Sequence, residues 1–311
     1  MKLDRTIGVS IFLLVAFALC RGSAYSLTTV AFTALSTGTV AFLRFAIGAL
    51  ALLGWAAFSV RGWRWIKRDW KPILVFALIG NSVPFGLMTL GQQTVPSGLA
   101  SVMMALTPMF SAIIAHLSLP DEKLNARAIL GVGVGFAGVF AIVYARGKIN
   151  LDAGMLYGLG ALTLAAICIA ITIVSVRFFR PTNQLGTATL SLVVAAVTLV
   201  PFVDFSDFQK PVPLDVIYAC IALGVVGTAL GWLSLLALSK RASAAFSSTV
   251  NYLIPIVGMA IGAIFLNETL YWTDAVALAL IIGGTTLVKA GPVAPATSKG
   301  PAEEADAAIK A

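Results

Sequence analysis

"LTPMFSAIIAHLSLPDEKL", Leu106–Leu124, and "LIPIVGMAIGAIFLNETL", Leu253–Leu270, follow one plan. Each places a proline, Pro108 or Pro255, near the start of an apolar run. Each then closes on an acidic turn whose glutamate, Glu122 or Glu268, stands two residues before a leucine. A proline inside a helix removes a backbone hydrogen bond and costs about 3 kcal/mol in water. A chain that places it twice in the same setting has repeated a structural unit. Laying the chain on itself at the Pro108-to-Pro255 offset also matches Gly80 with Gly227, Asn81 with Thr228 and Ser101 with Ser248. After a one-residue gap, Glu122 meets Glu268, Leu124 meets Leu270 and Gly138 meets Gly284.

The solvent follows from composition. Hydrophobic residues make up 59% of the 311 and charged residues 11%, with a mean hydropathy of +0.97. Soluble domains carry about 25% charged residues. The charges are clustered, leaving apolar runs long enough to cross a bilayer as helices. Ten runs are expected: α1 (6–30), α2 (36–60), α3 (72–94), α4 (97–118), α5 (126–145), α6 (153–176), α7 (184–203), α8 (213–239), α9 (242–266) and α10 (272–290). Barrel strands would need only about ten alternating residues each. The expected fold class is therefore all-α: a polytopic membrane protein of ten transmembrane helices in two five-helix repeats. Five is odd, so the second repeat is inverted relative to the first.

The expected organisation is a first repeat over 1–145, a linker over 146–152, a second repeat over 153–290 and a disordered tail over 291–311, rich in Pro, Ala and charge. The N-terminus resembles a signal peptide, but the apolar character continues through Val30 without a small-residue cleavage site. It reads as a retained first helix.

Charge sets the expected orientation. With the N-terminus inside, sixteen Lys and Arg fall on inner segments, and only Arg146, Lys148 and Lys210 on outer loops. Such asymmetry places both termini in the cytoplasm. The net charge of +8 reads as topology and inner-leaflet contact, with no nucleic-acid partner, because no basic stretch is interleaved with aromatics on a soluble face.

Several chemistries are disfavoured. Cys20, Cys168 and Cys220 are scattered within spans and suggest neither a disulfide frame nor a metal site. "GVGFAG" (133–138) matches GxGxxG in form but lies inside α5 with no preceding strand, so a nucleotide site is not expected. Gly131/Gly135, Gly154/Gly158, Gly227/Gly231 and Gly258/Gly262 read instead as close-approach pairs. All 13 acidic residues lie in loops, at span ends or in the tails. That argues against a carboxylate proton relay or a dedicated cation pump. An intramembrane enzyme would need paired acids, a Ser/His couple or metal ligands within spans, so none is expected, and no cofactor either. His116, the single histidine, reads as a packing residue.

The segments "RGSAY" (21–25), "FLRF" (42–45), "ASVMMALTPMFSAIIAHLSLPDEKL" (100–124), "LGVVGTALGWLSLLAL" (223–238) and "ASAAFSSTVNYLIPIVGMAIGAIFLNETL" (242–270) resemble the EamA branch of the drug/metabolite transporter (DMT) superfamily. The resemblance covers residues 6–290. It implies a cavity lined mainly by α1, α3, α4, α6, α8 and α9, and movement of small metabolites. Many members export amino acids, the aromatic amino-acid exporters called YddG among them. Arg21 departs from the family's frequent Trp before the Gly.

The candidate substrate-binding residues are Arg21 on α1; Asn81, Ser82 and Met88 on α3; Met103, Met104 and Thr107 on α4; Thr228 and Trp232 on α8; and Ser248, Asn251 and Tyr252 on α9. Polar groups beside freed backbone can hold the ends of a zwitterion, and Met and aromatic surfaces accept varied side chains. Pro84, Pro108 and Pro255 are the expected kinks or hinges. Arg44, about eight residues into α2 and roughly 12 Å deep, is expected to be a structural charge bonded to carbonyls of a neighbouring helix. The whole reads as a secondary transporter in a bacterial inner membrane, facilitative or uniport-like, exporting amino acids by alternating access. An exporter of cationic drugs or other metabolites, with or without proton coupling, is the alternative. The partners are a small-molecule substrate and the lipid bilayer; no oligomeric state is implied.

Overall fold

Long apolar stretches free of Asp, Glu, Lys and Arg can satisfy their backbone in lipid only as helices, and helices are what the chain forms. The computed structural model describes residues 2–59, 64–118, 124–150, 153–239 and 250–289. Among them, ten helical segments follow the ten runs: α1 (Lys2–Ala31), α2 (Thr37–Ser59), α3 (Ile66–Gly91), α4 (Ser97–Ser118), α5 (Ala126–Asn150), α6 (Ala153–Phe179), α7 (Gln184–Leu199), α8 (Leu214 to Ser239), α9 (Val250–Leu266) and α10 (Trp272–Lys289). No strand occurs among the described residues. Among the described residues, seven helices are long and apolar enough to cross a membrane; the apolar stretches Ala126–Gly138, Leu253–Leu266 and Trp272–Leu287 are shorter. Large apolar side chains such as Phe12, Phe58, Leu117, Ile264 and Phe265 are exposed, as a lipid-facing surface requires.

Where the described residues test them, two boundaries differ from the sequence expectation by five residues or more. Helix α3 begins at Ile66, ahead of Pro72, because a first turn rich in charge extends the helix beyond the apolar core. Helix α5 runs on to Asn150, into the stretch expected to be linker. Asp121, Glu122, Ser248 and the 291–311 tail lie outside the described residues.

The helix packing reads the same when each helix of one half is exchanged for its counterpart in the other. Helices α1 and α9 pack together, as do α6 and α4; α1 packs on α8, as α6 does on α3; α2 packs on α8, as α7 does on α3. The pairs α2·α7, α4·α9 and α5·α10 map onto themselves. This pseudo-twofold relation between halves of five helices each is the inverted repeat.

Glycines set the closest approaches. A Cβ added at Gly22 of α1 would lie 2.6 Å from Val257 of α9, and one at Gly258 would lie 2.5 Å from the Ser101 hydroxyl of α4. At Gly138 it would meet the Ala277 carbonyl of α10 at 2.9 Å. Gly133, by contrast, faces open space.

Candidate functional site

The deepest irregularities are two π-helical turns, Leu78–Ser82 in α3 and Val225–Leu230 in α8, which coincide at the Pro108-to-Pro255 offset. Side chains explain them. Asn81 Nδ2 donates to the Phe76 carbonyl at 2.8 Å, and Ser82 Oγ to Ala77 at 3.0 Å. Thr228 Oγ1 donates to Leu223 at 3.1 Å, the counterpart of Phe76. Each bond reaches five residues back, to a carbonyl that an α-helix would occupy from four residues on. Pro84 follows the first turn but its counterpart is Gly231, so proline is not the common cause. Wide turns of this kind recur at functional sites.

The two turns meet different partners. Asn81 donates to Ser191 of α7 at 3.3 Å, and Ser82 shares a bond with Thr198 at 2.7 Å. Both therefore face α7. In the other half the counterpart of Ser191 is Arg44, whose Nε donates to Thr228 Oγ1 at 3.2 Å. Arg44 is 4% exposed and its Cζ lies 4.2 Å from the centre of the Phe85 ring. It meets a hydroxyl and a ring where carbonyls were expected. Arg21 approaches the same ring, with Cζ at 5.4 Å, and its stem lies 3.3 Å from where a Cβ on Gly231 would stand. Neither guanidinium pairs with a carboxylate among the described residues.

Around this pair the apolar candidates gather. Met88, Met103 and Met104 are buried in one cluster with Tyr25, Phe45 and Phe85, and Trp232 packs against it. Helix α4 is interrupted at Ala105 and Leu106, just before Pro108. There Thr107 Oγ1 bonds to the Met104 carbonyl at 2.8 Å. Helix α9 stays α-helical through Pro255, whose carbonyl accepts from Ser101 Oγ at 3.3 Å. Asn251 and Tyr252 stand in the first turn of α9, and their side chains, with all of Ser248, lie outside the described residues. The structure thus brings Arg21, Thr228, Met88, Met103, Met104 and Trp232 together with Arg44, and turns Asn81 and Ser82 toward α7. Phe85 and Tyr25 were missed in the sequence; the signal was the spacing of Phe85 one turn before Met88.

Carboxylates clasp helix N-termini across the halves. Glu268, aimed by Asn267 in the left-handed conformation (φ 52°), accepts from the Ser97 and Gly98 amides of α4 at 2.8 and 2.9 Å. Asp207 accepts from the Ser36 amide ahead of α2 at 2.9 Å. On the opposite face, Asp69 accepts from the Thr182 amide and hydroxyl at 2.9 and 2.8 Å, ahead of α7. Partial burial alone would raise the Asp207 carboxyl. Hydrogen bonds from Thr39 and Ser36, with Lys210 nearby, outweigh it and hold the group below the ordinary carboxylate range. His116 Nδ1 accepts from the Leu124 amide at 3.1 Å, tying the turn between α4 and α5. An open-sided cavity of about 370 Å³, lined by Thr29, Phe32, Leu35, Gln92 and Gln93, lies on the Glu268 face. Gln92 donates to the Tyr25 carbonyl at 2.9 Å, one turn along α1 from Arg21.

The model of the EamA-like transporter family matches residues 8–144 and again 156–290. The chain belongs to the EamA-like transporter family. It is thus a membrane transporter of the EamA/DMT type, integral to a lipid bilayer. Among relatives of an EamA transporter such as this, "Uncharacterized transporter YvbV" of Bacillus subtilis (strain 168) is 28% identical over 72% of this chain and 73% of its own. A "Probable terminal-alkyne amino-acid exporter" of Streptantibioticus cattleyicolor is 26% identical over 71% and 73%. The "Uncharacterized inner membrane transporter YedA" of Escherichia coli (strain K12) is 25% identical over 71% and 72%. A solved crystal structure, 18% identical, covers 91% of this chain and 97% of its own with a TM-score of 0.61, which shows a shared fold.

Proposed function

We propose that this EamA transporter exports small metabolites, amino acids foremost, by alternating access around the Arg21–Arg44–Phe85 centre. One observation carries the reading. A buried charged group, a hydroxyl at a π turn and a methionine-aromatic wall converge inside the helix bundle, where the two halves meet. Charged groups within membrane spans are costly and mark substrate pathways, and transporters with inverted repeats bind substrate where the halves meet. The relative described as a probable amino-acid exporter supports the substrate class.

Both termini face the cytoplasm, the membrane is a bacterial inner membrane, and residues 1–145 and 153–290 are the two moving halves. Transport is facilitative: Glu268, Asp207 and Asp69 are spent on capping backbone amides at helix ends. A cationic drug would meet two guanidinium groups at the centre and is disfavoured. The test is counterflow of a labelled amino-acid panel in proteoliposomes, with and without a pH gradient. Saturable exchange that is indifferent to the gradient is expected. Uptake of cationic drugs with no amino-acid exchange would overturn the reading.

A further inference from the structure

Resting on that reading, we infer that Arg21, Arg44 and Phe85 form a seat for the oxyanion head, carboxylate or phosphate, of an organic anion with an apolar body. Arg44 is nine-tenths buried and, among the described residues, gives only Nε to a hydrogen bond, on Thr228. Its two Nη groups have no hydrogen-bond partner among the described residues. Arg21 holds a second guanidinium over the same ring. Two like charges brought to one phenyl ring in the membrane interior, with no carboxylate beside them, leave a local excess of positive charge that a bound anion neutralises. The planar fork of a guanidinium matches carboxylate and phosphate oxygens two at a time.

The surroundings choose the rest of the ligand. Tyr25, Met88, Met103, Met104 and Trp232 offer an apolar, adaptable wall. No acidic side chain among the described residues is placed to hold an ammonium against this pair. An uncompensated anion is therefore accepted at least as well as a zwitterion, and both are accepted far better than a cation. Gly231 serves the seat by leaving room for the Arg21 stem, where any side chain would crowd it.

The test uses the full-length protein in nanodiscs and four probes of similar shape: phenylalanine, N-acetylphenylalanine, phenyl phosphate and phenylalanine methyl ester. Thermal-shift titration and competition for labelled phenylalanine report affinity. N-acetylphenylalanine or phenyl phosphate should bind as tightly as phenylalanine or tighter, and the ester at least tenfold more weakly. The preferred anion identifies the head group. Arg21→Gln and Arg44→Gln should each weaken the anions at least tenfold and leave the ester unchanged. Should Arg44→Gln fail to fold, the four-probe ranking on the unmodified protein still decides. Equal binding of ester and acids, or anion affinity unchanged in Arg21→Gln at normal melting temperature, overturns the seat. Phenylalanine exchange that persists in both arginine variants would remove the seat and keep the export reading. Anion binding without any amino-acid exchange would keep the seat and remove that reading.

Discussion

Arg44 shows how much a single residue can tell. A cation about eight residues inside an apolar helix demands a partner, and its importance was plain from position alone. Which partner it takes was not, because Thr228 lies in the other half and the Phe85 ring on a third helix. Thr228→Val removes the hydroxyl and leaves the Arg44 Nε proton unbonded in a buried setting. A loss of about 1–3 kcal/mol follows, read as a lowered melting temperature in detergent. Trp232→Ala and Asn251→Ala should impair transport severalfold at normal protein levels; normal rates in both would remove those residues from the site. Asp207 gives a pH dependence. Its folded value lies below the unfolded one, about 3.9, so its clasp on Ser36 stabilises the protein above about pH 4 and is lost as pH falls through the folded value. The melting-temperature gap between wild type and Asp207→Asn should be widest at pH 7 and close below about pH 4. A gap constant with pH would show that the carboxylate charge is irrelevant.

At the scale of helices, apolar runs gave ten elements within a few residues, since helix length in lipid is set by the hydrocarbon thickness. The π turns were hidden. They arise from Asn81, Ser82 and Thr228 bonding carbonyls five residues back, and nothing in periodicity distinguishes such a residue from one that bonds four back or faces a neighbour. Glycine gave a partly legible signal: its spacing marks close packing, but not which glycine carries it. Gly258→Ala must displace Ser101 across the α4–α9 contact and should cost about 1–3 kcal/mol. Gly133→Ala meets nothing and should be neutral, or stabilising by up to about 1 kcal/mol through helix propensity. Melting temperatures of the two variants check the contrast, and similar losses in both would contradict the packing described.

Over the whole molecule, the repeat was legible from Pro108 and Pro255 with their glutamates, whereas the job of the glutamate was not. Glu268 appeared as an acidic turn; in the fold it holds the N-terminus of α4 across the boundary between halves. That contact joins residues about 170 apart in sequence and depends on the pseudo-twofold packing. The measurement that bears most directly on this architecture is cysteine accessibility at Lys67 and Leu214. They occupy equivalent places in the two halves, and both are exposed. In a protein whose own Cys20, Cys168 and Cys220 are replaced, a membrane-impermeant maleimide on intact cells should label Leu214→Cys, and Lys67→Cys only after permeabilisation. Labelling of both from the same side of the membrane would contradict two antiparallel halves enclosing one site.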